Sequence, residues 1–423
     1  MSTVPPAARP PLKPLDDALA ELLAEAGPLE GTEEVDTFEA DGRVLAVAAV
    51  SPLRVPPHDN SAMDGYAVRR ADVAAERGSP AIELLCDLPV SQRIAAGSAP
   101  QPLEPGTAAR IFTGAPLPPG ADAVCMQEDC EALDGGARVR IQAVPRAGQW
   151  VRRAGEDIET GATVLAAGTR LTPAALGLAA SIGLARLRVA RRPRVALFST
   201  GDELVMPGEV PPERMPPGAI YNSNRFFLRA MLLRLGCEVS DFGIVPDRLE
   251  ATQQALADAA AAHDLVLTSG GVSVGEEDHV KPAVAALGRI DLWQVALKPG
   301  KPFAHGRIGE RVHFMGLPGN PVSSLVTFAI LVRPFLLRLQ GVQDVTPRAV
   351  EARANFHWPR ADKRREFLRV RRDADGGLDL FPNQGSGVLT SAAWCDGLVD
   401  NPPGRTIARG DTVRFIPFSD LLA

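Results

Sequence analysis

Two spacings of apolar residues alternate along the chain. Leu15, Ala18, Leu19, Leu22 and Leu23 recur at helical intervals and predict a helix over Leu15 to Ala26, with Gly27 as its cap. From Val44 to about Pro145, short Val, Ile and Leu runs are cut by Pro and Gly, as in Val55-Pro-Pro, so strands and turns are expected. Thr172 to Ile182 reads as a helix with Pro173 in its first turn, and Arg191-Arg-Pro reads as a linker.

The rhythm changes at Arg194. Arg194-Val-Ala-Leu-Phe, Glu238 to Val245 and Leu265 to Leu267 predict strands, alternating with helices over Asn222 to Leu235 and Leu249 to Ala262. That alternation implies a parallel sheet with right-handed crossovers, whose ligands bind beyond the carboxyl ends of the strands. The polar loops after Phe198 and Thr268 fall there. A further strand, Val312-His-Phe-Met, leads into the most apolar long segment, Val322 to Leu339. Arg333, Pro334 and Arg338 disfavour a membrane span and favour a buried helix. From Val345 to Ala423 short strands return between Gly376-Gly, Asn401-Pro-Pro-Gly and Arg409-Gly-Asp, which predicts a small β domain.

Length and charge narrow the picture. A chain of 423 residues suggests several domains. With 45% hydrophobic and 23% charged residues, its profile is that of a soluble globular protein. A formal charge of -6 argues against a nucleic-acid binder, yet leaves room for a small anion held by a local cluster of amides and lysines. Five scattered cysteines give no disulfide framework and fit a reducing cytoplasm, while Cys125 and Cys130 lack the partners of a zinc site. The proline-rich stretch Met1 to Pro14 reads as a loose tail rather than a signal or an anchor.

Several stretches carry chemistry. In "LTSGGVSVGEED", Leu267 to Asp278, the Gly270 and Gly271 amides and Ser273 suit an anion, while Asp278 is a hard oxygen ligand. The pairing suggests a phosphate together with a metal. "STGDEL", Ser199 to Leu204, places two acids at a strand end, and "KPGKP" presents Lys298 and Lys301 on a proline-stiffened turn suited to an oxyanion. "GLPGNPVSS" joins a strand to the long helix and offers helix amides with the Ser323 or Ser324 hydroxyls. "PPHDNSAMDGYAV" packs Asp59, Asn60, Ser61 and Asp64 into one loop.

Together with "RIFTGAP", "AGEDI", "KPGKPFAHG" and "QGSGVLTS", these stretches make the chain resemble the MoeA family, the molybdopterin molybdenumtransferases, from roughly Leu15 to the C-terminus. It is also similar to the C-terminal E domain of gephyrin. Departures from the family pattern are His58 before Asp-Asn-Ser, Glu276 in "GEEDHV" and Asn383 in "PNQGSG".

The resemblance implies a multidomain α/β plus β architecture. A tail over 1–14 precedes a discontinuous N-terminal unit over 15–55 and 146–185, interrupted by a β-rich insert over 56–145. A parallel-sheet α/β domain follows over 186–342, and a small C-terminal β-barrel over 345–423. The implied reaction inserts molybdenum from molybdate into adenylylated molybdopterin with release of AMP, assisted by Mg2+ or another divalent ion. By motif position Asp247 in "GIVPD" and Asp278 are the implied metal-linked acids, with Glu203 and Asp59 as further catalytic acids. Gly270, Gly271 and Ser273 would hold phosphate, and Lys298, Lys301, Ser323, Arg365 and Ser386 would hold molybdate. A cytoplasmic homodimer is implied, in which the loop with Asp59, Asp64 and Thr113 reaches the partner's cleft. Other enzymes of molybdenum cofactor synthesis are expected as partners, and neither nucleic acid nor membrane. The alternatives are a molybdopterin adenylyltransferase, which would consume ATP, and a gephyrin-like scaffold.

Overall fold

A computed structural model describes residues 11–75, 86–271 and 279–422. Ser273, Glu276 and Asp278 lie outside the described residues. At the centre is a six-stranded sheet ordered Glu238–Val245, Arg194–Thr200, Leu265–Ser269, Val312–Leu317, Pro302–Ile308 and Gly288–Gln294. The first four strands are mutually parallel, as the βα alternation predicts. The last two run antiparallel, so the sheet is mixed. Leu265–Ser269 is buried at every position, which is why its sequence is a continuous apolar run rather than an alternation.

Helices cover both faces. On one side lie Leu249–Ala260 and Val280–Leu287, packed through Leu256, Ala259, Val280 and Val284. On the other lies the long helix Pro321–Leu339, the one described helix apolar and long enough to cross a membrane, of which 94% is buried inside the protein. Pro321 sits at its first turn, where a missing amide hydrogen costs nothing. Pro334 lies further in, and just before it the turn Phe328–Val332 widens to a π-helix. A proline cannot donate to the carbonyl four residues back, and a local π turn absorbs the mismatch.

The first helix spans Leu15–Ala24 with Glu25 as its C-cap, so Gly27 falls beyond the end and does not cap it. Its Leu15, Ala18 and Leu22 join the core formed by the long helix and the central sheet. It therefore packs on the α/β unit rather than on the N-terminal unit to which the sequence reading assigned it. Arg186–Ala190 departs in the opposite sense, pairing with Thr32–Asp36 of the N-terminal unit. The insert is a six-stranded sheet with its own cores around Tyr66 and Ile111.

The C-terminal unit is a ring. Strand Arg365–Arg372 pairs with Gly397–Asn401, which pairs with Thr412–Pro417, which pairs with Val350–Arg353. The bridge from Ala354 to Leu378 joins that last strand to Leu378–Leu380, which returns to Arg365–Arg372. Phe415, Val370 and Leu378 fill the inside. Phe367, Leu398 and Ile416 instead join the core of the α/β unit, so the two units share apolar contacts.

Within that core His305 and His313 are buried against Phe335. Burial holds both imidazoles below their ordinary pKa, His313 at about 4, so both are neutral near pH 7. All five cysteines are free thiols.

The expected linker at Arg191 is pinned. Its guanidinium donates two hydrogen bonds of 2.7 Å to the Asp264 carboxylate, which also accepts from the Arg194 amide at 2.8 Å. Burial alone would raise the Asp264 pKa, but these partners outweigh it and hold the group below its usual value. A carboxylate with a depressed folded pKa stabilises the fold above its unfolded pKa, and that stability is lost as pH falls through the folded value. Asp264→Asn is expected to destabilise the protein at pH 7 by about 1–3 kcal/mol. In urea titrations across pH, the gap from wild type should close below about pH 4.

Candidate active site

A cleft of about 710 Å³ opens where the parallel strands end. It lies at the point where the chain, having crossed from Arg194–Thr200 to one neighbour, returns to the other side at Leu265–Ser269. Four strand ends feed it: Thr200 and Glu203 from one, Asp247 from the edge strand, Gly270 and Gly271 from the third, Ser323 after the fourth. Two helices, Asn224–Arg234 and Pro321–Leu339, begin at its wall, so their positive dipole ends face the space.

The floor is backbone brought close. Gly270 has φ +91°, and a Cβ there would stand 2.7 Å from the Thr200 carbonyl oxygen. Gly271 has φ +67°, and its Cβ would meet Thr200 Oγ1 at 2.6 Å. Only glycine allows both the left-handed conformation and this approach.

Side chains fix the loops to one another. Asn224 Nδ2 donates to Ser269 Oγ and to the Gly319 carbonyl, both at 2.8 Å, tying three segments of the wall. Asp202 Oδ1 accepts from the Asp247 amide at 3.2 Å, holding one acid-bearing loop against the other. The Val322 amide donates to the Ser386 carbonyl at 2.9 Å, which brings the C-terminal unit to the rim, where Gly387 lines the cleft. Among the described residues of this site, Thr200 Oγ1 and Asn222 Nδ2 are buried without a hydrogen-bond partner. Burying such groups unanswered costs about 1–3 kcal/mol each, a cost that a ligand can offset.

Among the residues singled out from sequence, Glu203, Asp247, Gly270, Gly271 and Ser323 thus meet in one place. Lys301 adjoins the cleft through its neighbour Pro302. Lys298 does not present a free ammonium group: its Nζ lies 2.8 Å from Glu366 Oε1 and 3.1 Å from Asp362 Oδ2. Burial opposes its charge, but the two carboxylates outweigh that and raise its pKa. Arg365 is likewise engaged, with Asp400 at 2.6 and 2.7 Å and Asp16 at 2.8 Å, beside a different groove lined by Leu12 and Pro402. Both cations fasten units together.

Asp59, Asp64 and Thr113 stand in the insert, outside this cleft. Asp59 accepts from the Ala154 amide at 2.8 Å and pairs with Arg153 at 2.6 Å. Asp64 accepts from the Thr113 amide and hydroxyl, both at 2.7 Å. The sequence reading missed Thr200, Asn222 and Asn224, although "YNSNR" at a helix start after a strand was the available signal.

Three family models match in chain order: "MoeA N-terminal region (domain I and II)" over residues 13–183, "Probable molybdopterin binding domain" over 196–338, and "MoeA C-terminal region (domain IV)" over 351–418. The chain belongs to the MoeA family. A molybdopterin molybdenumtransferase of Haemophilus influenzae is 38% identical, over 96% of this chain and 99% of its own length. One from Nostoc is also 38% identical, over 89% of this chain and 86% of its own. A crystal structure of the molybdopterin biosynthesis MoeA protein of Pyrococcus horikoshii superposes with a TM-score of 0.81 at 29% identity, over 96% of this chain and all of that one. Most of the cleft's lining falls within residues 196–338, the segment that matches the model described as "Probable molybdopterin binding domain".

Asn224→Ala removes a donor that answers two loops. Its expected effect is a loss of about 1–3 kcal/mol in denaturant unfolding, with looser amide exchange protection at Ser269 and Gly319 than elsewhere in the sheet.

Proposed function

We propose that this cleft performs the molybdenum-inserting step of molybdenum cofactor synthesis, taking adenylylated molybdopterin and molybdate and releasing AMP. The observation that carries the reading is the joining of Asp247 and Glu203 with two helix N-termini and the unpartnered Thr200 Oγ1 and Asn222 Nδ2 in one cleft. These groups suit a phosphate-bearing substrate, in a chain 38% identical over 96% of its length to a molybdopterin molybdenumtransferase.

Each residue has a physical task. The Gly271 amide comes close to phosphate oxygens because no side chain intervenes, while the Gly270 amide donates to the Leu317 carbonyl at 3.1 Å and fixes the turn. Thr200 Oγ1 and Asn222 Nδ2 donate to the same anion, each gaining the partner it lacks. Ser323 and the start of the long helix receive the second anion, molybdate, with Lys301 as the nearby cation. The hard oxygens of Asp247 and Glu203, with the Thr200 hydroxyl, form a donor set that fits Mg2+, and Asp278 belongs with them by its motif. When bound, such an ion neutralises phosphate oxygens and the charge developing on departing AMP.

The direct test mixes purified protein, Mg2+, adenylylated molybdopterin and molybdate, and follows AMP. Molybdate-dependent AMP is expected, and Asp247→Asn should slow its release by roughly 100-fold with the fold intact by circular dichroism. AMP that appears equally without molybdate overturns the reading, and consumption of ATP instead would favour an adenylyltransferase.

Asp59, Asp64 and Thr113 are placed in this scheme by a homodimer in which the insert of one subunit completes the cleft of the other. Asp59→Asn and Asp247→Asn proteins, each impaired alone, should then regain activity when mixed and allowed to exchange subunits, because one of the two clefts receives both native residues. Absence of rescue in verified heterodimers rules this arrangement out.

A further inference from the structure

Away from the cleft, on the sheet face covered by the first helix and the long helix, three potential ligands converge. Cross-strand register places His305 opposite Met315 and Arg307 opposite His313, so the two histidines are diagonal neighbours on one face. Their rings lie 6.4 Å apart between centroids. Glu25, the cap of the first helix, reaches the same point from above, its Oε2 3.9 Å from His305 Nε2. One ligand atom from each of Glu25, His305 and His313 can be chosen so that all lie within 4.8 Å of one another.

The histidines have no ordinary structural role at these atoms. His305 is 0% exposed and neither of its ring nitrogens has a hydrogen-bond partner, and His313 Nδ1, in a residue 6% exposed, has none either. Buried imidazoles are normally satisfied, and leaving their nitrogens unanswered is costly. Edge-on packing of Phe335 against both rings, with Trp293 tilted beside His305, fixes the ring planes without answering the nitrogens.

We propose that Glu25, His305 and His313 form a second, structural metal site for a first-row transition ion, Zn2+ above all, which fastens the end of the first helix to the central sheet. Two neutral imidazoles and one carboxylate make a nitrogen-rich set that favours Zn2+ over Mg2+, with water as the fourth ligand. Tetrahedral coordination needs ligand atoms roughly 3.3 Å apart, so the three groups must draw together. The Glu25 side chain, 31% exposed, is the ligand that shifts, against the pull of its two arginine partners. Arg289 and Arg307 oppose the cation. They contact the same carboxylate at 2.8 and 3.5 Å, and Arg289 also faces Asp291 at 3.7 Å. Binding therefore pulls Glu25 Oε2 toward the imidazoles while Oε1 keeps Arg289.

The test uses the full chain, with ZnCl2 in a buffer containing excess MgCl2, desalting, and metal analysis of the protein. About one equivalent of zinc is expected to remain on the wild type, and Co2+ in its place should give the visible bands of a tetrahedral site. His305→Phe and His313→Phe should abolish retention, and zinc should raise the thermal midpoint of the wild type but not of these variants. Should either fail to fold, Glu25→Gln at the half-exposed position decides, with an expected loss of affinity of tenfold or more. No retention by the wild type, or retention within tenfold of wild type in Glu25→Gln, overturns the proposal. The same holds for zinc kept by folded histidine variants, which would place it on the cysteines.

Discussion

The architecture hangs on the burial of one helix. Pro321–Leu339 starts at the cleft, runs beneath the first helix and over the central sheet, and has the C-terminal barrel against its flank. Fully burying side chains such as Phe328, Phe335 and Leu336 is worth about 1.5–3 kcal/mol each. The same burial fixes the direction of the helix, and so aims its positive end at the space where Ser323 stands.

Around that helix, charge is used for joining rather than for display. Lys298 lies between Glu366 and Asp362, and Glu366 in turn accepts from Trp358 Nε1 at 2.8 Å and Asn401 Nδ2 at 3.1 Å. Arg365 joins Asp16 of the first helix to Asp400 of the barrel. These ion pairs hold the C-terminal unit against the α/β unit and the first helix.

What could be read from sequence was whatever is encoded locally. Apolar runs bounded by Gly and Pro located Glu238–Val245 to the residue and most other central elements within a few residues. Glu203, Asp247, Gly270, Gly271 and Ser323, named from motifs and from the family resemblance, line one cleft because each follows the end of a strand of the same sheet. Ion pairs across long separations were not legible: Glu366 lies 68 positions from Lys298, and Asp16 lies 349 positions from Arg365. The antiparallel pair Gly288–Gln294 and Pro302–Ile308 was hidden for another reason: "KPGKP" drew attention as a turn, and the strand after it carries glycine and histidine in place of a plain apolar run.

The barrel strand Arg365–Arg372 has one edge occupied by Gly397–Asn401 along most of its length. Its other edge is divided: Leu297 and Lys298 take Arg365 and Glu366, and Leu378–Leu380 takes Val370 to Arg372. A strand whose amides and carbonyls are claimed on both sides offers no template for a foreign segment to add itself. The ring thereby guards this strand against fibrous self-association by leaving neither of its edges open along most of its length.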